Sequence, residues 1–243
     1  MSKSTPVISI ITVVYNGGET LEHTVRSVVQ QTYQHVQYIV IDGGSTDNTL
    51  EILQRYRQDI AVLISEKDDG IYDAMNKGLQ HATGDWAYFL GADDLLSIPT
   101  IIEELVEHFK DPDSIYYGDT YLKSRNRLYN GKVTTPKFLL CNISHQAIFY
   151  PKSIFQKKNY NVRYKYFADH VHNLEIYAED ATRFVYLPRM VSIYNDQGRS
   201  STLVDENYAT DIVNLVSHNF GPGLGAYVWL RRKVAKFKRK LLR

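Results

Sequence analysis

Asp93 and Asp94 stand side by side directly after the apolar run Trp86–Leu90, in the stretch Phe89-Leu90-Gly91-Ala92-Asp93-Asp94. Two adjacent carboxylates cannot lie inside a sheet without a cation or donors to balance them. They therefore belong at the carboxyl end of a strand, where open α/β sheets bind ligands. Hard oxygen donors there suit Mg²⁺ or Mn²⁺ carrying a diphosphate, because such an ion takes one or two carboxylates and leaves its other positions to phosphate and water. An isolated Asp-Asp would more simply cap a helix near Ser97 and Pro99. The surrounding sequence favours the ligand site.

Positioning those carboxylates requires a sheet, and the first hundred residues supply one. Val7–Val14 is a β-branched run suited to a buried parallel strand. Leu21, Val25, Val28 and Val29 recur at helical spacing, predicting an amphipathic helix over 19–31. Val36–Ile41, Ile60–Ile64 and Trp86–Leu90 read as further strands, with helices after Asp47 and over 71–81. Strand and helix in alternation predict an α/β, doubly wound, mostly parallel sheet flanked by helices. Right-handed crossovers gather the strand-to-helix turns on one rim. That rim would hold Tyr15, Asn16, Asp42, Asp68, Asp93 and Asp94, each at the end of a strand.

Beyond a helix over 100–109 the pattern weakens. A hairpin of Ile115–Leu122 and Arg127–Tyr129, a strand over 145–150, a helix over 168–177 and short strands at 184–187 and 191–194 are expected. Gly221-Pro222-Gly223-Leu224-Gly225 reads as a break. The expected organisation is one domain over 1–220, with 1–100 binding nucleotide and 101–220 the acceptor, followed by a basic amphipathic helix over 226–243.

Composition is that of an ordinary globular chain, 44% hydrophobic and 23% charged. The single cysteine, Cys141, excludes an internal disulfide and suits a reducing compartment. Met1-Ser2-Lys3-Ser4 leads straight into a strand, so neither a signal peptide nor a membrane span is expected, and the location inferred is cytoplasmic. The net charge of +1 hides an asymmetry: eight of the 28 basic residues and none of the 27 acidic ones lie from Trp229 onward. Such a run commonly means a solvated or nucleic-acid-binding face. Here the apolar stripe Leu230, Val234, Phe237 and Leu241, with Trp229, fits peripheral contact with an anionic membrane, or packing on the protein itself or a second subunit. No nucleic-acid partner is expected.

The motifs Thr12-Val13-Val14-Tyr15-Asn16, Ile41-Asp42-Gly43-Gly44-Ser45-Thr46-Asp47-Asn48-Thr49, Glu66-Lys67-Asp68-Asp69-Gly70-Ile71-Tyr72-Asp73-Ala74-Met75-Asn76-Lys77-Gly78 and Gly84-Asp85-Trp86, leading to Ala92-Asp93-Asp94, are specific in their order and spacing. Together they resemble the inverting family 2 glycosyltransferases, whose fold is called GT-A, and most of all the short bacterial branch that builds surface polysaccharides. The resemblance is dense over residues 7–100. It implies metal-dependent transfer of one sugar from a nucleoside-diphosphate sugar, UDP-sugar favoured, to a saccharide or lipid-linked saccharide acceptor. It implies that Val13 and Tyr15 wall the nucleobase with Asp42 and Asp68, that Asn16 and Lys77 belong to the donor site, that Asp93 faces the ribose and that Asp94, with Asp93, holds the metal. Gly43 departs from relatives that carry a second Asp there. The Gln-x-x-Arg-Trp motif of processive synthases is absent, which points to one sugar per encounter.

Inverting transfer needs one base for the acceptor hydroxyl and a cation for the departing diphosphate. By the same resemblance, which sets the catalytic Asp at the head of a helix after the mid-chain strand, the base is Asp169; a helix amino end would lower its pKa. Glu179 and Asp180 are the rivals, at the far end of that helix. His145, with Gln146, resembles a pair that reaches the donor sugar or phosphate, although a lone His beside a strand is often structural. Arg199, in Gln197-Gly198-Arg199-Ser200-Ser201, offers forked donors to a diphosphate from a lid, or lies in a plain connection. A non-catalytic sugar-nucleotide-binding subunit is the alternative. A sugar-1-phosphate nucleotidyltransferase is disfavoured, because no basic residue follows the first strand in Tyr15-Asn16-Gly17-Gly18-Glu19.

Overall fold

The computed structural model of the chain describes residues 5–129, 131–197 and 204–241. Four parallel strands, β1 (Ile8–Val14), β2 (Val36–Asp42), β3 (Val62–Ser65) and β4 (Trp86–Gly91), lie in the order β3-β2-β1-β4. Between them run α1 (Leu21–Val29), α2 (Thr49–Arg55) and α3 (Ile71–Gln80). Every residue of β1 is buried, as expected of a parallel strand covered on both faces. Successive side chains divide between two cores: Ile11, Ile39, Ile41 and Phe89 join Met75 of α3 on one side, while Ile10, Val40, Tyr88 and Leu90 join Leu21 and Val25 of α1 on the other.

The sheet continues into the second half. After β5 (Leu95–Leu96) and α4 (Ile101–Val106) come β6 (Ile115–Leu122), its hairpin partner β7 (Arg127–Tyr129), α5 (Thr135–Phe138), β8 (Ile148–Pro151), α6 (Lys152–Lys157), α7 (Ala168–Glu179) and β9 (Phe184–Tyr194). β8 pairs antiparallel with both β4 and β6, β9 runs parallel to β6, and β5 closes on β9 antiparallel. The expected doubly wound, mostly parallel α/β architecture is the observed one, with an antiparallel insertion at β8.

Three local expectations are corrected. Residues 145–147 form a 3₁₀ turn before β8 rather than the start of a strand. Alternation in a strand would send His145 and Gln146 to opposite faces, and in the turn both reach carboxylates. The two short strands at 184–187 and 191–194 are one strand, β9, which keeps its pairing with β6 across Pro188 through register shifts near Asp119. Proline is tolerated in strands at such irregularities. The break at 221–225 is confined to Gly221, whose φ of +91° suits a residue without Cβ. Pro222 then opens α9 (Pro222–Leu241) at the first helical position, where a missing N–H costs nothing.

Helix α8 (Glu206–Phe220), capped by the Asp205 carboxylate on the Tyr208 N–H at 3.0 Å, precedes it. Along α9 the side chains of Leu230, Val234 and Phe237 are exposed, so packing of that stripe on the protein's own body is not observed. Among the described residues no helix is long and apolar enough to cross a membrane.

Candidate active site

The strand ends meet in register. Val14 of β1 lies opposite Asp42 of β2, Asp42 opposite Ser65 of β3, and Val13 opposite Gly91 of β4. Asp42 is fully buried and spends its oxygens on the turn that follows and on the end of β3: it accepts from the Ser45 N–H at 3.1 Å, from the Ser45 hydroxyl and from Ser65 Oγ at 2.6 Å. Asn16, at φ +52°, ties the first turn to the second, its N–H donating to Ser45 Oγ at 2.7 Å and its Oδ1 accepting from the Thr46 N–H at 2.8 Å. Val13 is almost covered, while Tyr15 is 53% exposed and forms the open apolar wall of this rim.

A Cβ at Gly43 would lie 2.3 Å from Asp68 Oδ2, so a side chain there would require the Asp68 carboxylate to move aside. Asp68 is held there by the Gly70 N–H, donating to its Oδ1 at 2.9 Å.

Asp94 is 1% exposed. Gln146 Nε2 donates to its Oδ2 at 2.7 Å and the Asn195 N–H to its Oδ1 at 2.8 Å, while Asn195 Nδ2 donates to Asp93 Oδ2 at 3.0 Å. Burial pushes the Asp94 carboxyl up to about 7, the Asp93 charge adds to the rise, and the Asn195 and Gln146 donors oppose it. The pair is therefore short of positive charge. Among the described residues no three His, Cys, Asp or Glu side chains gather into a metal cage. Two carboxylates lacking counter-charge fit Mg²⁺ or Mn²⁺, which completes its shell with phosphate and water.

Asp169 is the second residue of α7 and is 5% exposed. Its Oδ1 accepts from Tyr72 Oη at 2.7 Å and from the His170 N–H at 2.8 Å, and its Oδ2 accepts from Asn142 Nδ2 at 2.7 Å. His145 Nδ1 stands 3.5 Å from Oδ2. The rings of Tyr72 and Tyr160 pack 5.2 Å apart beside Asp169. Burial alone would raise this carboxyl, but His145, Tyr72 and His170 outweigh it and hold the group below the ordinary carboxylate range. The direction is the one expected of a helix head; its main causes, His145 and Tyr72, come from other elements, and His170 of α7 itself adds to them. Asn142 is itself held, accepting from Asn173 Nδ2 at 3.0 Å.

Other candidates fall differently. Lys77 Nζ pairs with Glu66 at 2.8 Å, donates to the Lys67 carbonyl at 2.8 Å and lies 3.5 Å from Asp73. Its charge is thus engaged on its own wall of the rim. Glu179 ends α7, and Asp180 receives the Thr182 N–H at 2.9 Å. Arg199 lies outside the described residues. Sequence reasoning missed Tyr72, Asn142 and Asn195 as partners of the carboxylates. Tyr72 sits inside a quoted motif, but nothing local connects it to a carboxylate 97 residues away.

The family described as "Glycosyl transferase family 2" matches residues 9–179. The chain is 34% identical over 213 residues to a "PGL/p-HBAD biosynthesis glycosyltransferase" of Mycobacterium bovis (strain BCG / Pasteur 1173P2), covering 84% of this chain and 82% of that one. It is 39% identical over 97 residues to the "Putative teichuronic acid biosynthesis glycosyltransferase TuaG" of Bacillus subtilis, covering 39% of this chain and 38% of that one. Among solved structures, S. aureus TarS 1-349 in complex with UDP superposes with a TM-score of 0.66 at 18% identity, covering 88% of this chain and 65% of that one. The chain thus spans just under two thirds of that TarS structure. The mannosyltransferase PcManGT from Pyrobaculum calidifontis, in complex with GDP-Man and Mn2+, gives 0.63 at 15% identity, covering 96% of this chain and 76% of that one. At such identities the structural likeness speaks for the fold. With the family matched over most of its length and a relative 34% identical across 213 residues, the chain belongs to glycosyl transferase family 2 and is a glycosyltransferase of the GT-A fold.

Proposed function

We propose that the chain transfers one sugar, with inversion, from a nucleoside-diphosphate sugar to a saccharide or lipid-linked saccharide acceptor in bacterial surface polysaccharide synthesis. The observation that carries this reading is the 3₁₀ turn: Gln146 bonds Asp94 while its neighbour His145 faces Asp169. Two carboxylate centres of opposite character thus come within reach of consecutive residues. Asp93 and Asp94 would hold Mn²⁺ or Mg²⁺, which when bound supplies neutralising charge to a departing diphosphate. Asp169, kept ionised, accepts the proton of the acceptor hydroxyl. Tyr72 and Asn142 fix its orientation, and Oδ2 keeps room for that hydroxyl because His145 stands beyond a normal hydrogen bond.

The rim of residues 1–100 serves the nucleotide, with Tyr15 and Val13 against the base and Asp68 taking the role that a second Asp at position 43 has in relatives; residues 101–220 serve the acceptor. UDP is favoured, in line with the TarS complexes with UDP and UDP-GlcNAc. PcManGT carries GDP-Man, so the base is best decided by competition. The relatives named for PGL/p-HBAD and teichuronic acid biosynthesis support a glycoconjugate acceptor.

The test is a thermal-shift panel of UDP, GDP, CDP and dTDP, with and without Mn²⁺. Ligand at a hundred times its Kd adds about 2.7 kcal/mol. A metal-dependent shift with UDP is the expected result, and a shift indifferent to metal would remove Asp94 from the donor site.

A further inference from the structure

Helix α9 presents two different faces. Gly225 and Val228 are buried at its root, with Leu224 and Tyr227 packed beside them. Arg232 continues that face, donating from Nη2 to the Ala209 carbonyl at 3.3 Å, with its guanidinium 5.9 Å from the centre of the Tyr208 ring. From Trp229 to Lys238 every other residue is exposed. Phe237 follows Val228 by nine residues, about two and a half turns, and so lies on the side of the helix opposite the packed face. Leu230, Val234 and Phe237 share that outer side at helical spacing. Trp229 is 52% and Phe237 64% exposed. Lys233 Nζ lies 5.5 Å over the Trp229 ring; Lys233 falls between Trp229 and Phe237 on the helix, a lysine whose stem follows apolar surface while its head stays wet.

We propose that α9 is an interfacial helix which lays Trp229, Leu230, Val234 and Phe237 into an anionic phospholipid bilayer, with its lysines and arginines on the headgroups. Charge decides the partner. No acidic residue occurs from Trp229 onward, while acidic residues outnumber basic ones over the rest of the chain. The body alone would be repelled by an anionic surface. A second copy of the helix would set two all-basic segments face to face. A nucleic acid would meet the charges and leave the apolar side chains in water. An anionic bilayer satisfies both. The anchored root also joins the glycosyl-transfer site: Tyr208 Oη lies 2.7 Å from Nδ1 of His170, the neighbour of Asp169. A helix fixed at the bilayer thereby fixes α7.

Vesicle flotation tests this without reference to activity. The protein is expected to float with vesicles of phosphatidylglycerol and phosphatidylcholine, and to stay behind with phosphatidylcholine alone. Lys233→Gln with Lys236→Gln and Lys238→Gln should lower partitioning about a hundredfold, from the usual contribution of each basic residue near anionic lipid. Trp229→Ser with Phe237→Ser should also abolish flotation. These side chains are exposed, so the thermal midpoint should hold; if a variant lowers it, the blue shift of Trp229 emission in the unaltered protein on vesicles decides, because Trp86 is already buried. Equal flotation with neutral vesicles would overturn the proposal. So would a charge-variant loss with the apolar variant unaffected, as nucleic-acid binding would give, or a dimer that the apolar variant dissolves.

Discussion

Two carboxylates at the ends of the site are held in opposite ways. Asp42, at the end of β2, is satisfied by Ser45 three residues on and by Ser65 at the end of the adjacent strand. Asp169, at the head of α7, accepts locally from the His170 N–H, but its side-chain donors are Tyr72 and Asn142, 97 and 27 residues away, and His145 faces it. Each is buried. The first is a property of a turn and its neighbouring strand, so it comes with the motif. The second exists only when α3, the segment before β8 and α7 have docked. Local bracing suits a rim proposed to bind nucleotide, whereas the ionisation of the proposed base is set by groups from distant elements.

The largest way to sharpen that contrast is Asp169→Asn. Turnover should fall about 10²–10⁴-fold, the usual worth of a general base, while the nucleotide-induced thermal shift persists. Loss of both together would make Asp169 a structural member of the donor rim instead.

Next comes the pH dependence of Asp94. Its folded carboxyl keeps the proton up to about 7 against an ordinary 3.8, so the folded state binds more protons than the unfolded one between those values. Stability therefore falls as pH rises from about 4 to 7, by on the order of 3 kcal/mol. Asp94→Asn should remove this slope in urea titrations of metal-free protein, and Mn²⁺ with nucleotide should flatten it in the unaltered chain. His172, pushed down to about 4 by burial, gives a slope of opposite sign between pH 4 and its ordinary 6.5, so the difference between variant and parent is the quantity to read.

Tyr72→Phe should act through Asp169. A hydrogen bond to a charged group contributes about 1.5–3 kcal/mol. Its loss should move the acid limb of the kcat/KM profile upward, since with Asp169 as the proposed base that limb lies where Asp169 takes its proton. Ser45→Ala is the small counterpart in the other half: about 1 kcal/mol of stability, weaker nucleotide binding and an unmoved acid limb. An acid limb displaced by Ser45→Ala would erase the distinction between the two halves.

The parallel core, the rim and the order of its turns were legible because buried parallel strands read as continuous apolar runs, and each turn carries its own glycines and caps. Asp93, Asp94 and Asp169 were put forward from residue type, position and family resemblance. What holds them could not. The 3₁₀ turn at His145–Ala147 stands where a strand was expected, and in it Gln146 bonds Asp94 while His145 faces Asp169. Asn195 came to the Asp pair from a strand end about a hundred residues later. The amphipathic pattern of α9 was written in the sequence, and which of its faces meets the protein was not. Periodicity and turn chemistry act between near neighbours, so they survive in a linear string of residues. The ionisation of a buried carboxylate, and the choice of which apolar face is covered, depend on groups that only chain closure brings within a few ångströms, and these the tertiary structure alone decided.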